Sequence, residues 1–206
     1  YIPGSLPIGV VLLHMMPATK ESFDQFAEKL AGLGFHTIAI DFRGHGESAG
    51  GDYKTFTDEQ QQAKRFDVEA AIEYLRKQNP NIQFGFVGAS IGANLSIRYA
   101  ASNECLFVVS LSAGLIYRGV DAYEAVSKLS ESFPIYFVSA RDDDRAAGND
   151  AVMNEQLYNA CSSNKKSINI FQTGGHGTDM FNTHPELEET LISWIKENTN
   201  AENKSV

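Results

Sequence analysis

Short continuous apolar runs alternate with amphipathic segments along this chain. The runs Ile8 to Leu13, Thr37 to Ile40, Ile82 to Val87, Leu106 to Leu111, Ile135 to Val138 and Ile168 to Phe171 are rich in Val, Ile, Leu and Phe. Runs of that length without a polar face predict parallel strands buried between helix layers. Phe23, Phe26, Ala27 and Leu30 fall at helical spacing, and Gly32 and Gly34 supply a stop. Thr57 and Gln60 have capping-box spacing and predict one helix reaching Gln78, before Asn79 and Pro80. Further helices are expected over Ile91 to Ala101, Tyr123 to Leu129, and around Met153, Leu157, Ala160 and Cys161. A second capping box, Thr183 with Glu186, predicts a last helix that turns Leu187, Leu191, Trp194 and Ile195 inward. Six strands alternating with about six helices predict an α/β fold: a doubly wound, mostly parallel sheet with right-handed crossovers. Ligands in such sheets bind beyond the carboxyl ends of the strands.

Composition narrows this picture. The 206 residues suit one domain, expected over 1–199 with a polar tail at 200–206. A net charge of −9 disfavours nucleic acid as a partner. No apolar stretch reaches the roughly 20 residues of a membrane span. The chain begins at Tyr1 rather than Met, so an upstream piece is expected to have been removed. The compartment stays open between cytoplasm and export, as does the oligomeric state. Cys105 and Cys161 lie on apolar segments and read as small core residues rather than a disulfide framework. No clustered Cys/His set offers a metal site.

The residues just after the strands carry the candidate chemistry. Gly88-Ala89-Ser90-Ile91-Gly92 follows the third strand and opens a helix. A serine on so tight a turn projects its hydroxyl above the sheet, and glycines at both flanks leave it room. Gly174-Gly175-His176-Gly177-Thr178 follows the last strand, where a neutral imidazole can take the serine proton and return it to a leaving group. His14 and His45 also lie near strand ends but precede Ser90, while His36 and His184 look like element edges. Asp142-Asp143-Asp144 follows the fifth strand and supplies a carboxylate to orient the imidazole. Asp143 is the first choice and Asp142 the alternative. The order Ser, Asp, His is the one this motif set requires. Two N–H donors are needed for a tetrahedral oxyanion. Ile91 is expected to give one, and Met16, or alternatively Met15, the other. Met15, His14 and Arg118 are candidates to line the substrate site. A Rossmann-type nucleotide binder is disfavoured, because no glycine-rich loop follows the first strand.

With these residues in place, the chain resembles the α/β-hydrolase family over nearly its whole length. Three blocks carry the likeness: a first from the His14 loop through Gly34-Phe35 to Asp41-Phe42-Arg43-Gly44-His45-Gly46-Glu47-Ser48, the Ser90 turn, and His176-Gly177-Thr178. It looks closest to small bacterial esterase-like members near the dienelactone-hydrolase branch. The nucleophile here is Ser90 rather than a cysteine, so dienelactone hydrolysis is not implied. The resemblance implies a serine hydrolase cleaving small carboxylic esters through an acyl-enzyme, with no cofactor or metal. A thioesterase, acyltransferase or peptidase on the same triad is the alternative, and a non-catalytic binding protein of the same fold is another. Between Ser112 and Pro134, where many relatives carry a helical lid, there is room for one short helix, so a minimal lid is expected.

Overall fold

The computed structural model describes residues 1–199; the expected polar tail at 200–206 lies outside the described residues. Six strands form one sheet: β1 (Ile8–Leu13), β2 (His36–Ile40), β3 (Gln83–Ala89), β4 (Val108–Leu111), β5 (Ile135–Ala140) and β6 (Lys166–Phe171). Their order is β6-β5-β4-β3-β1-β2 and every pairing is parallel. The helices are α1 (Asp24–Gly32), α2 (Asp58–Gln62), α3 (Arg65–Gln78), α4 (Ile91–Ala100), α5 (Ala122–Val126), α6 (Asp150–Ala160), α7 (Asp179–Thr183) and α8 (Glu186–Thr199).

Strand alternation divides the core into two layers. Val11, Leu13 and Phe86 point to the face covered by Val68, Ile72 and Leu75 of α3, with Leu95 of α4 and Leu157 of α6 in the same layer. Ile8, Val10 and Leu12 point to the opposite face, against Phe26 and Leu30 of α1 and Leu187, Leu191 and Ile195 of α8. Both faces are apolar, which is why β1 and β3 are continuous hydrophobic runs. Each such side chain withdrawn from water contributes roughly 1.5–3 kcal/mol.

The register brings the strand ends to one rim. Leu13 pairs with Ile40 and Gly88, Ala89 with Leu111, Leu111 with Val138, and Ala140 with Phe171. The loops beginning at His14, Ser90, Ser112, Arg141 and Gln172 therefore leave the sheet side by side. The direction of winding reverses between β1 and β3, the place where an open sheet parts its crossovers and leaves a crevice.

Three local expectations differ from the structure. The predicted helix over 57–78 is two helices. The Thr57–Gln60 capping box forms as expected. Beyond Gln62, however, Lys64, Phe66 and Asp67 donate to the carbonyls of Gln61, Ala63 and Lys64, and this tighter turn buries Lys64. The Thr183–Glu186 capping box is replaced by a separate short helix, α7, because the Thr183 hydroxyl donates back to the Asp179 carbonyl. Two small antiparallel hairpins are additional: Ile116–Tyr117 with Val120–Asp121, and Asp144–Arg145 with Gly148–Asn149. The first lies with α5 in the 112–134 interval. Its turn residues Arg118 and Gly119 both have positive φ, 50° and 75°, as a two-residue turn matched to strand twist requires. Cys105 and Cys161 are both free.

Candidate active site

The Ser90 turn is built by exclusion of side chains. A β-carbon on Gly88 would lie 2.4 Å from the Gly92 carbonyl oxygen, and one on Gly92 would lie 2.2 Å from that of Leu13. Only glycine fits either place, so β3 passes directly into α4 with Ser90 between them. Ser90 itself has φ 54° and ψ −117°. A side-chain-bearing residue pays about 1–3 kcal/mol to stand in such a region, and the surrounding bonds must hold it there. The Ser90 N–H donates to Leu111 (2.8 Å), and its carbonyl accepts from Asn94 (3.0 Å). Ile91 is the first residue of α4, where N–H groups lack partners inside the helix and favour negative charge.

His176 reaches this turn through glycine. Gly177 has φ 55°, and a β-carbon there would lie 2.8 Å from Met15 Sδ and 3.1 Å from the Ala89 β-carbon. Its N–H donates to Ser112 Oγ at 3.0 Å. The histidine loop thus lies against the residue preceding Ser90. His176 is buried, and its Nδ1 stands 2.7 Å from Asp143 Oδ2. The other oxygen of Asp143 accepts from Arg145 Nε at 2.7 Å. Asp142, the alternative acid, does something else: its carboxylate accepts the N–H groups of Gly174 (2.9 and 3.1 Å) and Gly175 (3.1 Å). The two adjacent aspartates hold the same loop, one by its backbone and one by its imidazole.

Asp150, the first residue of α6, escaped sequence reasoning. Its Oδ2 lies 2.9 Å from the same Nδ1 and has no hydrogen-bond partner among the described residues. Burial opposes charge on all three groups, and the mutual contacts decide the outcome. Against burial, the contacts with His176, then Asp150, then Arg145 hold the Asp143 carboxyl well below its usual range. Burial, then the contact with Asp143 and its charge, push Asp150 up to about 6, against the pull of His176. Against burial again, Asp143 and Asp150 push His176 up to about 9. These three residues also place one ligand atom each within 4.8 Å of one another. A cation among them would compete with the Nδ1 proton that Asp143 accepts.

Ser90, His176 and Asp150 line one cleft of about 360 Å³, together with Met16, Met153 and residues of both hairpins: Tyr117 and Arg118 from the first, Arg145, Ala146 and Ala147 from the second. Larger hollows, up to about 530 Å³, lie elsewhere on the surface. None of them is lined by a serine together with a histidine, so chemistry rather than volume picks out the cleft.

Of the candidate lining residues, Arg118 stands in the cleft wall and the other two do not. His14 is fully buried and works as a clamp: its Nε2 accepts the Phe42 N–H at 3.0 Å, and its Nδ1 stands 2.7 Å from the Met15 carbonyl oxygen. Burial lowers it to about 4, keeping it neutral. Met15 packs into the core layer of α1 and α8, with its sulfur against Gly177. Met16 is the methionine that faces the cleft, and behind it buried Lys64 places Nζ 3.2 Å from its sulfur. The Asp41–Ser48 block braces this loop. Asp41 accepts the Lys20 N–H (2.9 Å), Lys20 Nζ (2.7 Å) and the Glu47 N–H (3.1 Å), while Arg43 grips Asp67. His45 stacks on Tyr53 with ring centres 3.9 Å apart.

Comparison with known proteins bears on the family and the fold. The Hydrolase_4 family model, described as serine aminopeptidase, S33, matches residues 8–116. The "AB hydrolase superfamily protein YisY" of Bacillus subtilis is 32% identical over 99 residues, 46% of this chain and 32% of its own length. The match thus spans about a third of that relative. Among solved structures, one from a study of the metagenome-derived lipolytic enzymes LipS and LipT superposes with a TM-score of 0.78 at 17% identity, covering 96% of each chain. The esterase Pf2001 of Pyrococcus furiosus gives 0.75 at 17% identity, over 93% of this chain and 83% of its own. A monoacylglycerol lipase of Paleococcus ferrophilus gives 0.75 at 17%, over 92% and 94%. At such identities these structures share the fold. No helix among the described residues is long and apolar enough to cross a membrane.

Proposed function

We propose, from the premise that the chain belongs to the serine aminopeptidase S33 family of α/β hydrolases, that it hydrolyses small carboxylic esters with Ser90 as nucleophile, His176 as general base and Asp143 as the acid that orients it. Ser90 Oγ attacks the ester carbonyl while His176 accepts its proton. Asp143 fixes the imidazole with Nδ1 protonated, so that Nε2 is the basic nitrogen, and stabilises the imidazolium that forms. The oxyanion is held by the N–H groups of Ile91 and Met16, the first reinforced by the N-terminus of α4. The imidazolium protonates the departing alcohol. Water activated by the same imidazole then releases the acid from Ser90. The expected domain, 1–199, carries every part of this machinery.

One observation carries the reading: a serine held at φ 54° faces the same cleft as an imidazole whose far nitrogen is fixed by a buried carboxylate. Ser112 shares a positive φ, 52°, so it is the facing imidazole and its carboxylate that single out Ser90. The names of the superposed structures, an esterase and lipases, favour esters as substrates. The family description raises a second reading, release of an N-terminal amino acid. Such a substrate brings a free ammonium, and the cleft wall offers it both the cations of Arg118 and Arg145 and the carboxylate of Asp150.

A fluorophosphonate probe with a reporter group tests the nucleophile. Wild type is expected to label and Ser90→Ala not to. A folded wild type that never labels would sink the enzymatic reading. Nitrophenyl esters set against aminoacyl nitroanilides separate the two substrate classes.

A further inference from the structure

The reaction above leaves a buried carboxylate unused. Asp150 is 2% exposed, lines the cleft, and has an oxygen, Oδ2, with no hydrogen-bond partner among the described residues. That oxygen lies 2.9 Å from His176 Nδ1, beside the Asp143 oxygen at 2.7 Å. The second hairpin makes this possible. It starts just after Asp143 and folds back, and the Asp150 N–H donates to the Asp143 carbonyl at 3.0 Å. Two carboxylates are thereby held at one ring nitrogen, which has a single proton to give.

The charges around the imidazole show what the second carboxylate adds. Asp143 faces it from the loop after β5, but Arg145 of the hairpin bonds the other Asp143 oxygen and offsets its charge. Asp150 faces it from the start of α6. From the same loop as Asp143, Asp142 is turned to the Gly174 and Gly175 N–H groups, and from the loop of His176 itself the Asp179 N–H donates to the His176 carbonyl. Arg118 stands in the wall of the same cleft, on the first hairpin. With Asp143 matched by Arg145, an imidazolium at 176 has Asp150 as its unmatched counter-ion.

We propose that Asp150 is a second acid of His176: a positioning residue that holds the imidazolium when Ser90 gives up its proton, and that accepts the Nδ1 proton when Asp143 is lost. This rests on the reading of Ser90 and His176 as nucleophile and base. The direction of the effect on pH follows. A carboxylate beside the ring favours the imidazolium, so the base becomes available only at higher pH. Replacing Asp150 by an uncharged residue is expected to move the acid limb of kcat/KM downward by about one pH unit, the scale of a single close charge. Replacing Asp143 alone is expected to cost about a hundredfold, because a small rotation of the ring brings Nδ1–H onto Asp150. Removing both acids is expected to cost the roughly ten-thousandfold typical of a triad without its acid.

The experiment is a set of pH–rate profiles on a nitrophenyl ester for wild type, D150N, D150S, D143N and the double variant D143N/D150N, with urea midpoints to confirm folding. D150S keeps a good helix-starting residue should the amide of D150N be poorly accommodated. A downward shift of the acid limb in either Asp150 variant, together with a D143N rate well above the double variant, supports the second acid. Acid limbs that coincide with wild type, or a D143N as slow as the double variant, overturn it while leaving the function standing. A wild type with neither esterase activity nor probe labelling strikes the function itself.

Discussion

The conformation at Ser90 makes a stability prediction separate from catalysis. At φ 54° and ψ −117° the serine occupies a region that glycine enters freely and other residues enter at a cost. Among the described residues the Ser90 hydroxyl makes no capping bond to α4 that would offset that cost. Ser90→Gly should release about 1–3 kcal/mol of strain. Against this, the glycine gives the unfolded chain about 0.5–1 kcal/mol of extra entropy. The expected net gain is about 1 kcal/mol, which for a chain of 206 residues raises Tm by roughly 2–4 °C. Ser90→Ala is the control: it loses the same hydroxyl but keeps the β-carbon, so it keeps the strain and should melt near wild type. Both variants are expected to be inactive. Thermal melts and urea titrations of the three proteins, side by side, give the comparison. A Ser90→Gly variant no more stable than Ser90→Ala would refute the idea that the turn stores strain in order to present its hydroxyl.

The remaining predictions concern the loops around that turn. Asp142→Asn should lower kcat/KM by less than tenfold, because Asp142 fixes the backbone of the histidine loop from an exposed position and not the ring; a loss exceeding that of Asp143→Asn would exchange the two roles. Gly92→Ala should destabilise the fold by about 1–3 kcal/mol or more, since its β-carbon meets the Leu13 carbonyl of the central sheet and nothing there can yield; an unchanged urea midpoint would contradict the packing. His176 has a folded pKa raised from 6.5 to about 9. The stability it adds is therefore complete below about pH 6.5 and is lost as pH rises through about 9. Urea midpoints should fall across that window in wild type and stay flatter in His176→Gln.

The strands were legible because their environment writes itself into them. A strand covered on both faces must be apolar throughout, so β1, β3, β4 and β5 appear as unbroken runs. Ser90 and His176 were legible for a related reason: their turns demand glycine at fixed spacing, and steric demands survive in sequence. The choice between Asp142 and Asp143 was not, because both are polar residues of one short loop. What separates them is which side of the loop each faces, and that depends on the hairpin that follows. The hairpin was invisible, since two-residue strands carry no periodicity. Asp150 stands at the start of a helix, a place where carboxylates are common, so its residue type carries no signal. The one available signal was that it closes a six-residue excursion beginning next to Asp143. His14 misled in the other direction. A histidine at a strand end suggests chemistry, yet its ring is spent on the Phe42 N–H and the loop carbonyl of Met15.

The excursion from 144 to 149 ties together two properties. Its outer turn contributes to the wall that an incoming molecule meets, while its base spaces one carboxylate from the next. A lineage that lengthened or trimmed this segment to admit a different guest would, in the same stroke, move a negative charge relative to the ring it serves. Changes of guest and changes of working acidity would then travel as one trait.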